Sequence, residues 1–290
     1  MKHAILGAGA IGGLVGTALA SLGEDVIVVL RPDKLAAYPE TLTLERPTGT
    51  MTAEARAVFR LTEPVDVLWI ATRTFQLKAA LESVAAVPKL VVPLLNGVDH
   101  IAILRAPFGH HSVVPATIAV EAERVAPGHF VQRSAFVRLN LASSAEPVLG
   151  PLVACLSNIG FTCQFIANEK TLLWSKLCFL APMALATSAS GKNKGEIMDD
   201  PEWKRKLYSA VDEACAVANA DGAEVDPAKI RAFIESISGA LRSSMQKDVE
   251  AKRPLELDGI AGPVVRGGER YGIEVPVTRE LMAAVRAKAV

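Results

Sequence analysis

The sequence predicts an α/β protein of two domains: an N-terminal domain with a doubly wound parallel sheet and a C-terminal domain built only from helices. Three observations lead to this prediction. A glycine-rich turn follows the first apolar run, and short continuous apolar runs, typical of parallel strands covered on both faces, recur through the first half. After residue 168 the apolar residues follow helical spacing instead. A chain of 290 residues is long enough for two cores, and we place the domains at residues 1–168 and 169–290.

The first strand and helix surround the sequence G-x-G-x-x-G, which begins at Gly7. The run His3–Leu6 has the composition of a buried strand, and an apolar, Ala-rich helix follows the glycines. Gly7 allows the tight turn, Gly9 lets the backbone approach a pyrophosphate, and Gly12 lets the helix pack close to the sheet. The N–H groups at the helix start then face an anion. The predicted dinucleotide-binding positions are Gly7, Ala8, Gly9, Ala10, Ile11 and Gly12.

A second apolar run, Asp25–Leu30, completes a βαβ unit, which is the context expected of a Rossmann-type dinucleotide-binding domain. An NAD-binding protein places an acidic residue at the end of this strand, on the ribose 2′-hydroxyl. This chain has Arg31 there, with Lys34 close behind. Because a guanidinium can bind a 2′-phosphate, we predict NADP(H) as the cofactor. The alternative is that Arg31 is a solvated loop arginine.

Charge and cysteine usage exclude several classes of function. The formal net charge is zero and no basic run is present, so neither nucleic acid nor an anionic membrane surface is an expected partner. The four cysteines show no C-x-x-C spacing and lie in apolar segments, so we expect reduced, buried thiols, no disulfide and no structural zinc. His100, His110 and His111 lack carboxylates at metal-ligand spacing and are interpreted as surface residues, so no metal site is predicted.

The N-terminus has a likeness to a signal peptide, because Lys2 precedes an apolar run and Ala18–Ala20 resembles a cleavage box. Cleavage there would remove the glycine turn, so we prefer the dinucleotide-binding interpretation. The later apolar stretch Leu177–Ala189 is too short to span a bilayer and contains Pro182. These observations predict a cytoplasmic protein.

Two apolar runs, Asp66–Ala71 and Lys89–Leu95, are predicted parallel strands whose carboxyl ends carry polar residues. Such strand ends line the ligand crevice of an open α/β sheet. Arg73 follows the first run and Asn96 follows the second. Asparagine tolerates unusual backbone angles and carries both a donor and an acceptor, so Asn96 is either a plain turn residue or a ligand contact.

The remaining elements are predicted from shorter patterns. Segments between residues 113 and 141 are interpreted as antiparallel additions to the sheet, because Pro127, Gly128 and charged residues separate them. The first domain should also contain strands or a hairpin at 41–44 and 57–59, a helix from Gln76 to about Ala86, strands at 114–120, 129–132, 137–141 and 161–166, and a helix near 148–159. Helices of the second domain are predicted at 171–187, 201–220, 227–237, 243–251, 256–271 and 277–288.

Three patches in the second half, taken with the glycine turn, resemble the ketopantoate reductase family (2-dehydropantoate 2-reductases). Trp174–Leu177 is similar to its W-x-K-L helix, and Ser243–Asp248 is similar to its S-S-M-x-x-D signature. The segments 256–262 and 271–276 resemble its C-terminal signatures, and Asn96 falls where the family has an Asn-Gly strand end. The resemblance implies NADPH-dependent reduction of a 2-keto acid, by default 2-dehydropantoate (ketopantoate) to pantoate in pantothenate and coenzyme A biosynthesis.

The resemblance also implies roles for single residues. Lys176 would be the catalytic general acid at the substrate carbonyl, Glu256 would accept a hydrogen bond from a substrate hydroxyl, and Ser244 would contact the substrate carboxylate. Asn96 would lie between cofactor and substrate, and Arg73 stands where the family has a lysine near the cofactor. An ammonium beside a ketone stabilises the developing negative charge and supplies the proton. Without the resemblance, Lys176 and Glu256 would be interpreted as ordinary solvated residues.

This chain departs from the family at three asparagine positions. Leu180 and Ala184 stand four and eight residues after the lysine, and Ala261 replaces the third asparagine. Positions i, i+4 and i+8 lie on one helical face, so the stripe expected to line the substrate pocket is apolar. Loss of those hydrogen bonds favours a bulkier or more apolar 2-keto acid.

Three functions therefore stay open at this point. The first is ketopantoate reduction, the second is another hydroxy acid or imine couple on the same fold, and the third is a non-catalytic NADP(H)-binding sensor. For the two enzymes the expected partner is a small-molecule substrate, a 2-keto acid by default. A homodimer is compatible with the apolar helix faces, although these faces are more typical of core.

Overall fold

A computed structural model describes residues 1–288 of the chain. The chain forms two compact units. The first contains Met1–Leu95 and His100–Ala167, and the second contains Asn96–Asp99 together with the chain from Asn168 onward. The sequence-based boundaries of 1–168 and 169–290 stay a prediction, and they did not separate the segment 96–99 from its flanking residues.

The first unit contains both strands and α-helices. In chain order they are β1 (Lys2–Leu6), α1 (Ala10–Ser21), β2 (Asp25–Val29), α2 (Pro32–Leu35), β3 (Thr41–Arg46), β4 (Gly49–Glu54), β5 (Arg56–Val58), β6 (Val67–Ile70), α3 (Leu77–Leu81), β7 (Leu90–Pro93), α4 (His100–Phe108), β8 (Ala116–Ala119), β9 (Ala122–Ala126), β10 (His129–Gln132), β11 (Val137–Ala142), α5 (Glu146–Asn158) and β12 (Phe161–Ile166).

The main sheet has the strand order β5-β2-β1-β6-β7, and all its pairs are parallel. Strand β1 lies in the middle, with β2 on one side and β6 on the other, so the chain reverses its winding direction between them. Residues of β6 are buried throughout, which explains why this strand is a continuous apolar run. Ligands bind at the carboxyl ends of strands at such a reversal. The predicted doubly wound parallel sheet is confirmed.

The segments predicted as antiparallel additions to this sheet form two separate sheets instead. One has the order β4-β3-β10-β9 and the other has the order β12-β11-β8. Strand β10 pairs in parallel with β3, and β11 pairs in parallel with β12. The interpretation as additions was wrong because strand patterns do not reveal partners that are distant in sequence. Of the two alternatives for 41–44 and 57–59, two separate strands are correct and a hairpin between them is wrong. Strand β3 forms its hairpin with β4, whereas β5 joins the main sheet.

Local patterns also missed or overextended some helices. The helix expected from Gln76 to Ala86 is a 3₁₀ turn at Thr74–Gln76 followed by only five α-helical residues, Leu77–Leu81. Helix α4 was not predicted, and it makes His100 a buried residue rather than a surface one. Of the cysteines expected to be buried, Cys178 and Cys215 are, whereas Cys155 is exposed and Cys163 is half-buried.

From Asn168 onward the described elements of the second unit are helices, as predicted. They are α6 (Glu169–Ser190), α7 (Lys194–Asp199), α8 (Pro201–Ala220), α9 (Pro227–Ser236), α10 (Ser244–Glu250), α11 (Leu257–Tyr271) and α12 (Pro276–Lys288). Short polar side chains begin them: Asn168, Asp200 and Asp226 each accept a hydrogen bond from a backbone N–H of the first turn. Pro201 and Pro227 occupy the first helical turn, where no N–H partner is needed.

Helix α6 is the central element of the second unit. Its 22 residues are long and apolar enough to cross a membrane, so the sequence-based argument that the stretch Leu177–Ala189 is too short does not hold. Most of the helix is buried within the folded chain, which is what a core helix of a globular unit requires. Pro182 lies inside the helix and is itself buried.

Candidate active site and cofactor-binding site

The glycine turn of the first unit has the backbone geometry that its sequence predicts. Gly7 has φ +102°, and a β-carbon there would lie 2.9 Å from the carbonyl carbon of Ala71. A β-carbon on Gly12 would lie 2.0 Å from the carbonyl oxygen of Gly7. Both contacts are too short for any side chain. The turn therefore packs against the residue after β6 and against the start of α1 only because these residues are glycines.

Gly9 fulfils a different requirement. It is the N-cap of α1 with no side-chain cap, and no atom lies within 4 Å of the position that a β-carbon would take. The backbone N–H groups of the first turn are therefore approachable from this side. Beside the turn, the buried hydroxyl oxygen of Thr72 has no hydrogen-bond partner among residues 1–288. An open cradle with an unsatisfied hydroxyl beside it fits the pyrophosphate half of a dinucleotide.

The other predicted cofactor residues lie near this turn in sequence or at strand ends. Ala8 is buried, whereas Ala10 and Ile11 are half-buried in the first turn of α1. Arg73 is a half-buried residue that immediately precedes the 3₁₀ turn after β6. The carbonyl of Ala8 accepts a hydrogen bond of 3.4 Å from Nη1 of Arg124, a residue that the sequence analysis did not single out.

Arg31 is the residue before α2, and its side chain is 74% exposed. Its Nε lies 3.8 Å from Oδ1 of Asp33, whose other oxygen lies 3.0 Å from Nζ of Lys34. The hydrogen bond from Lys34, with the nearby charge of Arg31, holds the pKa of Asp33 below its usual value. An exposed ion pair of this length is weak, so the guanidinium of Arg31 remains available to a stronger anion.

The second unit brings together three of the predicted site residues. Nζ of Lys176 donates a hydrogen bond of 3.1 Å to Oδ1 of Asn96, and Nδ2 of Asn96 donates one of 3.5 Å to Oε2 of Glu256. An ammonium can only donate and a carboxylate can only accept, so the order of the three groups fixes the orientation of the amide. Asn96 is thus more than a plain turn residue: its side chain bridges a lysine and a glutamate.

The environment of Lys176 lowers its basicity. The side chain is half-buried on α6, and Glu256, the residue before α11, is only 4% exposed. Burial lowers the pKa of Lys176 to about 8, while the carboxylate of Glu256 acts in the opposite direction. A lysine with this pKa is mostly protonated at neutral pH and is a stronger acid than a surface lysine.

The segment carrying Asn96 is held against α11 by two contacts. Gly97 has φ +86°, and a β-carbon there would lie 2.1 Å from the carbonyl oxygen of Gly259. Arg266 donates through Nη2 to Asp99 at 2.5 Å and through Nη1 to Asp258 at 2.8 Å. The Asn-Gly pair therefore has two roles, since the asparagine supplies the amide and the glycine allows the backbone approach.

The orientation of α6 is fixed near its first turns. The indole Nε1 of Trp174 donates a hydrogen bond of 2.9 Å to Asp221, which also accepts from Tyr271 and Lys170. Burial alone would raise the pKa of Asp221, but these hydrogen bonds hold it below its usual value. The tryptophan two residues before Lys176 therefore ties this part of α6 to an ionised side chain next to the end of α8.

The two neighbouring serines of the S-S-M sequence have different positions. Ser243 is buried, caps α10 by accepting from the backbone N–H of Gln246, and lies 2.7 Å from the hydroxyl of Thr187. Ser244 is exposed at the first residue of α10. In residues 1–288 it is not part of the hydrogen-bonded set around Lys176, and its assignment to a substrate carboxylate stays a prediction.

The three positions that lack asparagine are largely closed. Ala184 is 1% exposed and Ala261 is 0% exposed, and both belong to the apolar core of the second unit. Leu180 is half-buried and packs against the same core. These side chains offer a ligand no hydrogen-bonding groups, and the space around the two alanines is filled by apolar neighbours.

Within residues 1–288, no group of three or more His, Cys, Asp or Glu side chains is arranged to hold a metal ion.

Comparison with known proteins gives a consistent result. Residues 3–145 match the family model described as ketopantoate reductase PanE/ApbA, and residues 168–289 match the model of its C-terminal part. A 2-dehydropantoate 2-reductase from Caulobacter vibrioides is 28% identical, over 99% of this chain and 98% of its own length. The 2-dehydropantoate 2-reductase from Archaeoglobus fulgidus is 27% identical, over 97% of this chain and 96% of its own length.

Solved structures agree with this result. A PanE/ApbA family ketopantoate reductase from Ralstonia eutropha has a TM-score of 0.86 at 27% identity, covering 100% of this chain and 98% of that one. A D-mandelate dehydrogenase solved with NADH and anilino(oxo)acetate has the same fold, with a TM-score of 0.86 at 23% identity and the same coverage. The chain belongs to the ketopantoate reductase family, which confirms the family and the NADP-dependent oxidoreductase class predicted from its sequence.

Proposed function

We propose that this protein reduces a 2-keto acid to the corresponding 2-hydroxy acid with NADPH, and that Lys176 is the general acid. The observation that carries the proposal is the hydrogen-bonded set of Lys176, Asn96 and Glu256 in a chain of this family. The set joins a lysine of lowered pKa to a buried carboxylate through an amide.

The glycine turn would hold the cofactor, whose nicotinamide would supply a hydride for the carbonyl carbon of the substrate. The ammonium of Lys176 donates a hydrogen bond to the ketone oxygen, and it transfers its proton as negative charge develops there. A pKa of about 8 makes Lys176 a better proton donor at neutral pH than an ordinary lysine, because less free energy is needed to lose the proton.

Asn96 and Glu256 prepare the lysine for this role. The amide oxygen of Asn96 holds Nζ in place, which leaves the other N–H groups of the ammonium for substrate. Glu256 stabilises the protonated lysine electrostatically and, as in the family, would accept a hydrogen bond from a substrate hydroxyl. Ser244, exposed at the start of α10, would contact the substrate carboxylate.

Arg31 is proposed to give the protein its preference for NADPH over NADH, by binding the 2′-phosphate. Its exposed guanidinium follows β2, where an acidic residue would otherwise bind the ribose 2′-hydroxyl. The open backbone at Gly9 and the amide groups of α1 would bind the pyrophosphate, and Arg73 would lie near the cofactor at the end of β6.

Ketopantoate is the default substrate, and the curated relatives named 2-dehydropantoate 2-reductase support it. The second candidate is a more apolar 2-keto acid. Leu180, Ala184 and Ala261 favour it, because they supply none of the hydrogen bonds that a hydroxylated substrate would use. An aromatic 2-keto acid is a fitting probe, since anilino(oxo)acetate was solved with a protein of the same fold.

A panel of 2-keto acids tests the proposal. NADPH oxidation would be followed with ketopantoate, with 3-methyl-2-oxobutanoate, which lacks its hydroxymethyl group, and with phenylglyoxylate. Turnover of at least one is expected, and the ratio of kcat/KM values identifies the preferred class.

The variant Lys176→Ala should lose about 10²- to 10⁴-fold in kcat while still binding NADPH. Lys229→Ala, an exposed lysine on α9 of the same unit, serves as the control and should keep full activity. If the protein binds NADPH but oxidises it with no 2-keto acid of the panel, a non-catalytic sensor is favoured and the proposal is contradicted.

A further inference from the structure

Arg124 reaches the glycine turn from a strand that the sequence analysis did not identify. It lies on β9 and pairs with Phe130 of β10. Phe130 is fully buried, and its ring lies directly against Gly13 of α1: a β-carbon on that glycine would be only 2.0 Å from the ring. Side chains of directly paired residues lie on the same face of a sheet, so Arg124 also faces the start of α1.

The guanidinium is held over the turn itself. Its Nη1 donates a hydrogen bond of 3.4 Å to the carbonyl of Ala8, the second residue of the glycine motif. Arg124 also lies near Tyr38, in the segment that follows Arg31 and α2: burial raises the pKa of Tyr38 to about 12, and the charge of Arg124 acts against that rise. The buried Tyr38 hydroxyl has no hydrogen-bond partner among residues 1–288. Arg124 thus lies close both to the glycine turn and to Tyr38, which follows Arg31 in the chain.

Within residues 1–288, no ion pair neutralises the charge of Arg124. Arg133, the residue that follows β10, is 3.0 Å from a carboxylate oxygen of Glu123. Arg124 makes no ion pair within the described part of the chain, residues 1–288. A guanidinium has five N–H donors, and the bond to Ala8 uses one of them. The remaining donors can bind an anion that approaches the turn.

We infer that Arg124 binds a phosphate group of the dinucleotide cofactor above the glycine turn, as a second guanidinium beside Arg31. The inference rests on the NADPH-binding part of the proposed function. Guanidinium groups bind phosphate through two parallel hydrogen bonds, which a lysine cannot reproduce. The phosphate is either the 2′-phosphate or the pyrophosphate of the same molecule, and binding of NADH, which lacks the former, separates the two.

Dissociation constants measured by titration calorimetry, without substrate or turnover, test the inference. The variants are Arg124→Gln, Arg124→Lys and, as a matched control, Arg133→Gln, which removes a nearby arginine that is ion-paired with Glu123. For Arg124→Gln we expect NADPH binding to weaken about tenfold to a hundredfold, as for loss of a charged hydrogen bond. Arg124→Lys should lie in between, and Arg133→Gln should bind like the wild type.

Each result has a defined meaning. Weaker binding of NADPH alone assigns Arg124 to the 2′-phosphate, and equal weakening of NADPH and NADH assigns it to the pyrophosphate. Unchanged binding of both dinucleotides by Arg124→Gln, or equal losses in Arg133→Gln, overturns the inference while the proposed function stands. If the wild-type protein binds neither dinucleotide, the proposed function fails as well.

Discussion

Replacing Glu256 by glutamine should move the pH dependence of the reaction, because the carboxylate favours the charged form of Lys176. Two hydrogen bonds and the width of one amide separate the two groups. For charges about 7 Å apart at an effective dielectric constant of about 20, the attraction is about 2 kcal/mol. Its loss corresponds to about 1.5 pKa units. The pKa of Lys176 should therefore fall from about 8 in the wild type to about 6.5 in the variant.

The sign of the effect follows from the proposed role of Lys176 as general acid. A general acid must be protonated, so kcat/KM should be constant at low pH and fall as the pH rises through the pKa of Lys176. In Glu256→Gln this descending limb should lie at lower pH. The assay is the pH profile of kcat/KM with 3-methyl-2-oxobutanoate, since a substrate without the hydroxymethyl group removes the other proposed contact of Glu256.

Glu224→Gln, an exposed carboxylate of the same unit, is the control and should leave the profile unchanged. If the limb in Glu256→Gln stays in place or moves to higher pH, the electrostatic coupling through Asn96 is refuted.

Further predictions concern backbone strain, cofactor choice and the lost asparagines. Gly97→Ala should lower the thermal midpoint more than Gly109→Ala, since both have φ above +80° but only Gly97 would clash with a carbonyl; equal shifts would contradict this reasoning. Arg31→Gln should weaken NADPH binding and leave NADH binding nearly unchanged in calorimetric titrations, and parallel losses would argue against a 2′-phosphate contact. Ala184→Asn should destabilise the fold by about 1–3 kcal/mol in urea unfolding, because it buries an amide in a filled core. Leu180→Asn, at a half-buried position, should be better tolerated and should raise the kcat/KM ratio of ketopantoate to 3-methyl-2-oxobutanoate, whereas a lower ratio would oppose the pocket assignment.

Features fixed by neighbours in the chain were predictable from the sequence. The glycine turn has the expected conformation because the motif itself excludes side chains at Gly7 and Gly12. Helix α8 has the predicted bounds, since Asp200 caps it and Pro201 begins it. Strand β12 also has its predicted bounds, because its β-rich pattern follows a glycine that ends the preceding helix turn at positive φ.

Features that depend on distant partners were not predictable from local patterns. Asp99 and Arg266, which join the Asn96 segment to α11, are 167 residues apart in the chain. Strand β9 was missed because its charged residues suggested a loop, and Arg124 gains its position only through the pairing with Phe130. The family resemblance supplied what such patterns lack: it named Lys176, Asn96 and Glu256 before their contacts were known.

The short stretch Asn96–Asp99 clusters with the helical unit, although the chain on both sides of it belongs to the other unit. A fragment that starts at Asn168 would consequently contain Lys176 and Glu256 but would lose the side chain that links them. It would also expose the surface around Gly259 that Gly97 covers. No single cleavage of the polypeptide separates the two units, because residues 100–167 of the first unit lie between the two segments of the second. Truncation at Asn168 would therefore remove Asn96 along with the nucleotide-binding half.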